Sequence, residues 1–176
     1  MNSSRRSFLY SLLSLSLAPP EVLSRALPRQ SKDDELSFTP AQKELLACFC
    51  EQIYPKDDYA GAREVGVPDF IERALREAHP DWLAIYRMGL NATDAASRSR
   101  YGLGFCQVSF EQQMTLLVQM EKGTLPQEGW GRLDAREFFQ MVRDHTMQGA
   151  YSHPKYGGNR DKAAWDMIGY YDFWTE

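Results

Sequence analysis

From residue 38 onward, apolar side chains recur at helical spacing, and no stretch alternates with period two over the length of a strand. Thr39-Pro40-Ala41-Gln42 has the form of a capping box, with a hydroxyl at the N-cap, proline at the first helical position and glutamine three residues on. Leu45, Leu46, Phe49 and Ile53 then share one face until Tyr54-Pro55 ends the helix. After the loop KDDYAGAREVG, Phe70, Ile71, Ala74 and Leu75 stripe a second helix from Pro68 to about Ala78, closed by His79-Pro80. A third helix runs from Asp81 to about Ser99, with Gly89 and Asn91 as interruptions. Ser109 and Gln112 form another capping box, followed by Phe110, Gln113, Met114, Leu117 and Glu121 as one face, and Gly123 ends that helix. Asp134 and Glu137 repeat the device ahead of a fifth face built from Phe138, Met141, Val142, His145 and Gly149. The loop HPKYGGN precedes a short helix from about Asp161 to Ile168. The pattern predicts an all-α fold over residues 38–176, a compact irregular bundle of about five helices plus a short C-terminal one.

The residues before this domain have a different character. Residues 3–18, SSRRSFLYSLLSLSLA, join a positive start to an apolar run too short to span a bilayer, which needs about 20 apolar residues. Arg5 and Arg6, with Phe8 and Leu9, resemble the twin-arginine signal read by the Tat translocase, which exports folded proteins. Paired guanidinium forks offer a fixed donor geometry that lysine lacks. An ordinary secretory signal with a chance Arg-Arg, or an uncleaved anchor, is the alternative. Small residues at Ser24 and Ala26 place cleavage after Ala26, so residues 1–26 are the expected signal peptide and 27–37 a polar linker. The expected location is the periplasm.

Composition adjusts this picture in two ways. The full 176-residue chain carries net charge −4, and losing Arg5, Arg6 and Arg25 against Glu21 brings the remaining 150 residues to −6. That balance argues against nucleic acid as a partner. Cysteines stand at 48, 50 and 106, an odd number for an oxidising compartment. Cys48 and Cys50 point in different directions on a helix, so a bridge would join Cys106 to one of them, with a leftover thiol or a link to another chain as further arrangements.

Several chemistries lack their residues. Gly102-Leu103-Gly104 has no third glycine at dinucleotide spacing and lies between helices, and Cys48-Phe49-Cys50 is not a haem-attachment pattern. No catalytic, cofactor-binding or metal-binding residue is assigned on this basis. The one metal arrangement to weigh is His145 with His153, joined by Asp144 or Asp166; against it, His145 reads as a half-buried helix residue and His153 as a turn residue. Asp57 and Asp58 read as solvated turn formers.

Two stretches carry more than scaffold. Tyr54 to Ile71, YPKDDYAGAREVGVPDFI, and Pro154 to Asn159, PKYGGN, followed by Trp165 and Ile168-Gly169, resemble the gluconate 2-dehydrogenase subunit 3 family. These are small subunits of membrane-associated, flavin-dependent sugar and sugar-acid dehydrogenases. The resemblance covers about residues 38–170 and includes EFFQMVRDHTMQGAY at 137–151. It departs from the family pattern at Ala60, at His153 and at Tyr170-Tyr171-Asp172.

The resemblance implies an accessory subunit with no cofactor of its own. Its partners would be a catalytic large subunit holding FAD and a cytochrome c subunit holding haem c, through which the complex would associate with the inner membrane. Candidate partner-binding residues are Tyr59, Gly61, Tyr156, Gly157, Gly158, Asn159 and Trp165. Gly157-Gly158 suits a positive φ or a close backbone approach, and Asn159 suits such a turn. The aromatic tail of Tyr170, Tyr171, Phe173 and Trp174 suits docking or folding back onto the core. A transient assembly chaperone and an independent metal-dependent enzyme are the competing readings.

Overall fold

The computed structural model describes residues 37–170. The signal peptide with Arg5, Arg6, Phe8 and Leu9, nearly all of the linker, and Tyr171, Phe173 and Trp174 lie outside the described residues.

Within them the fold is all-α: α1 (Pro40–Ile53), α2 (Val67–Glu77), α3 (Pro80–Tyr101), α4 (Phe110–Lys122), α5 (Ala135–Tyr151) and a short α6 (Ala163–Ile168). Thr39 and Ser109 close capping boxes with Gln42 and Gln112, and the Asp134 carboxylate accepts from the backbone N–H groups of Arg136 and Glu137. Helix α5 packs against α1, α2 and α4. The core between them holds Phe49, Phe105, Phe138, Leu46, Ile71 and Met120, all with at most 1% exposure. No helix among the described residues is long and apolar enough to cross a membrane.

The interruptions expected in α3 are absent. Gly89 instead forms a notch: a Cβ there would stand 2.4 Å from the Phe138 ring, so the missing side chain lets α5 approach. In α4 the buried line differs from the expected face. Leu116, Leu117 and Met120 are inside, whereas Phe110 and Met114 are exposed. Leu117 and Gln113 of the expected face do turn inward, the Gln113 amide donating to the Phe105 carbonyl at 2.8 Å and accepting from Gln52 at 2.7 Å. The last helix starts later than expected, at Ala163, because Asp161 and Lys162 take φ of 57° and 59°.

A disulfide joins Cys48 of α1 to Cys106 in the 3-10 turn Phe105–Gln107, with Cα atoms 5.8 Å apart. Cys50, two residues on, faces the opposite side and stays a buried thiol that accepts from the Thr146 hydroxyl at 3.3 Å. Burial pushes that thiol up to about 12, so it holds its proton and is inert as a nucleophile.

Candidate functional site

The two family-like stretches meet at one end of the bundle, where α1 and α5 finish side by side. The Tyr54 and Tyr151 rings meet edge to face at 6.0 Å, and the Tyr54 hydroxyl reaches Met167 Sδ of α6 at 3.6 Å. Beyond Tyr54, Glu51 organises the loop: its carboxylate accepts from the backbone N–H of Lys56 at 2.9 Å and of Arg63 at 3.0 Å. Gly61 passes so close that an added Cβ would lie 2.3 Å from Glu51 Oε1 and 2.6 Å from the Lys56 nitrogen. Gly66, at φ 81°, then turns the chain into α2.

The second stretch leaves α5 and folds back on it. Gly157 takes φ 99°, and Gly158 lies against α5 so tightly that a Cβ would sit 2.1 Å from the Gly149 carbonyl oxygen. Asn159, at φ 46° and fully buried, donates to the Ser152 carbonyl at 3.1 Å and accepts from the Ala164 N–H at 3.0 Å, joining the end of α5 to the start of α6. Trp165 Nε1 donates to the Tyr151 carbonyl at 2.9 Å.

The loops are fastened to each other across some ninety residues of sequence. The Arg160 N–H donates to the Val65 carbonyl at 3.0 Å, and its guanidinium pairs with Asp69 of α2. A Cβ on Gly66 would meet Arg160 Nε at 2.6 Å and the Gly157 carbonyl at 2.9 Å, so this glycine is the seat of the second loop.

This arrangement sorts the candidate partner residues. Asn159 and Trp165 are enclosed by their own chain, and Gly61 and Gly158 are close-approach points; these four shape the loops and do not form an outer surface. Tyr59 and Tyr156 point outward at 53% and 52% exposure, joined at this end by exposed Ile168 and Tyr170. Buried polar groups with complete hydrogen bonding give such a platform a single shape.

The two histidines lie in different surroundings. His145 faces α3, where its Nδ1 meets the Tyr86 hydroxyl at 2.6 Å, while His153 stands edge-on to Trp165 at 5.6 Å and takes the Lys155 N–H on its own Nδ1 at 3.2 Å. The two rings serve different neighbours, and Asp144 pairs with Arg143 at 2.9 Å. Among the described residues the three-donor group close enough for a metal is Glu44, Cys48 and Cys106, of which two are spent on the disulfide. The Tyr86–His145 contact had no sequence signal, since the residues are 59 apart on separate helices.

A family model described as gluconate 2-dehydrogenase subunit 3 matches residues 40–172, taking in both loops and all six helices. No curated protein and no solved structure matches the chain significantly.

Proposed function

The chain belongs to the gluconate 2-dehydrogenase subunit 3 family, and we propose that it is the accessory small subunit of a periplasmic, FAD-dependent sugar or sugar-acid dehydrogenase. It binds the catalytic flavoprotein and stays with it as a brace, with a haem c subunit as a further partner. Oxidation of the sugar takes place in the flavin-bearing partner. The Arg5-Arg6 signal fits the same reading, because a flavoprotein that acquires FAD in the cytoplasm must cross folded, and a partner's twin-arginine address lets it do so.

The observation that supports this reading is the doubly fastened loop pair at one end of the bundle. Its polar groups are used internally to hold a shape, while Tyr59 and Tyr156 are left outside. Exposed aromatics on a rigid platform are suited to anchor an interface, and removing such an anchor typically costs about 1–2 kcal/mol, or roughly tenfold in affinity.

The test is expression of the tagged chain with its genomic neighbours. A flavoprotein is expected to co-purify from the periplasm. Replacing both Tyr59 and Tyr156 with alanine should weaken its binding by about a hundredfold, two such losses together, while the helical signal of the subunit is unchanged. Changing Arg5 and Arg6 together to lysine should leave both proteins in the cytoplasm. Recovery of no flavoprotein refutes the assignment, and a mature complex lacking this chain replaces the brace with a transient assembly role.

A further inference from the structure

Where α1 meets α4, one buried amide is left short of a partner. The Gln113 amide nitrogen donates to the Phe105 carbonyl at 2.8 Å, so its Oε1 is the atom turned to Gln52, whose Nε2 donates to it at 2.7 Å. A backbone carbonyl only accepts, and this fixes the direction of the whole relay. What remains is Gln52 Oε1, an acceptor on a residue at 6% exposure, with no donor among the described residues. Folded proteins rarely leave such a group unpaired, because its lost hydration is then uncompensated.

Gln52 is also one wall of a cleft of about 200 Å³. The other walls are mostly apolar, with Ile53 of α1, Leu117 and Val118 of α4 and Phe139 of α5. Arg143 stands there too, but its guanidinium is spent on Asp144 at 2.9 Å. An occupant that suits this space has an apolar body for the walls and one N–H or O–H for the orphan acceptor. Water answers only the second requirement.

The chain itself carries such a group close by. Ile53 is followed by Tyr54, whose hydroxyl reaches Met167 Sδ at 3.6 Å, so α6 lies beside this end of α1. The chain leaves α6 through Gly169, at φ 67°, and Tyr170, whose ring packs on Trp165 at 5.0 Å. Six residues follow, Tyr171-Asp172-Phe173-Trp174-Thr175-Glu176. Trp174 is four positions past Tyr170, a reach of up to about 14 Å along an extended chain. Its indole is an apolar ring with one N–H donor and no acceptor of its own to leave unpaired.

We propose that the C-terminal segment 171–176 folds back over α1 and seats Trp174 in this cleft, its Nε1–H donating to Gln52 Oε1. The segment then ties α6 and the loop pair to the α1–α4 side of the bundle. This contact lies within the chain and does not rest on the accessory-subunit reading.

Nuclear magnetic resonance of the isotope-labelled chain tests the proposal. Each of the four tryptophans gives one indole N–H signal, and that of Trp174 is the one lost in Trp174→Phe. It is expected to show contacts to the methyl groups of Ile53, Leu117 and Val118 and to exchange with solvent about tenfold more slowly than a free indole. Gln52→Leu keeps the wall apolar but removes the acceptor, and should speed that exchange about fivefold. Val118→Phe, at a half-buried position, fills the cleft with a ring from α4 and should abolish both the contacts and the protection. The Trp165 indole, bonded to the Tyr151 carbonyl, should stay protected in both variants and so reports that the fold is intact. A Trp174 indole that exchanges freely and touches none of these methyl groups overturns the assignment. In that event, methyl signals that shift when a co-purified flavoprotein is added give the cleft to a partner side chain, and methyl signals that stay put leave it to water. Indifference of the Trp174 signal to either variant overturns the assignment as well.

Discussion

Cys106→Ser should lower the free energy of unfolding by about 4 kcal/mol, the value expected when a disulfide closing a loop of this size is lost from the unfolded chain. The bridge spans 58 residues of sequence, from the middle of α1 across α2 and α3 to the turn before α4. Without it, the 3-10 turn Phe105–Gln107 is held by the Asp94 carboxylate, which accepts from the Phe105 N–H at 2.8 Å, and by the Gln113 bond to the Phe105 carbonyl. Those bonds keep the native geometry, so the variant should fold with the same helical content. Its urea midpoint is the measurement. Reductant should bring the native protein down to the midpoint of Cys106→Ser and leave the variant itself unmoved, because buried Cys50 takes no part. Equal midpoints for native protein and variant under oxidising conditions would mean that the bridge constrains nothing.

Gly158→Ala should be nearly as damaging, at about 3 kcal/mol, the upper end for overpacking a tight interior. The new Cβ would lie 2.1 Å from the Gly149 carbonyl oxygen and 2.9 Å from its carbonyl carbon, and both are backbone atoms of a helix that cannot swing aside. The loop must therefore lift, breaking the Asn159 bonds to Ser152 and Ala164 and the Arg160 bond to Val65. The damage should show in two ways: a lower unfolding midpoint, and faster tryptic cleavage at Lys155, Arg160 and Lys162. Gly102→Ala is the control. Gly102 has φ 76° and nothing within 4 Å of an added Cβ, so only the backbone penalty of about 1 kcal/mol applies there. Cleavage of Gly158→Ala at the native rate would show that the loop tolerates the methyl group.

The helices were legible because their ends are local chemistry. Thr39 with Gln42, and Ser109 with Gln112, need only a turn of their own chain to satisfy the first amides. The Gly157-Gly158-Asn159 turn was legible for the same reason: a positive φ at Gly157 and Asn159, and a side-chain-free approach at Gly158, are properties those residue types carry with them. Faces were harder to read. The stripe through Phe110 and Met114 is as regular as the one through Leu116 and Met120, and periodicity cannot choose between them. Packing against other helices buries Leu116, Leu117 and Met120, and the inward Gln113 amide bonds the Phe105 carbonyl and Gln52, all partners supplied by other parts of the chain. Gly89 looked like a helix breaker for a related reason, since the Phe138 ring that fills its notch lies on another helix.

The sequence alone therefore determined the class of fold, the positions of its helices, the family likeness, the shortlist of cysteines for a bridge and the residues able to make the unusual turns. These follow from steric limits and hydrogen bonds within a few residues of one another, or from patterns repeated along the chain. Only the tertiary structure decided that Cys48, not Cys50, meets Cys106, that the two loops fasten to each other through Arg160, that Asn159 and Trp165 face inward while Tyr59 and Tyr156 face outward, and that His145 belongs to Tyr86 and not to His153. Each of these is a contact between residues far apart in sequence, and its partner exists only once the helices have packed.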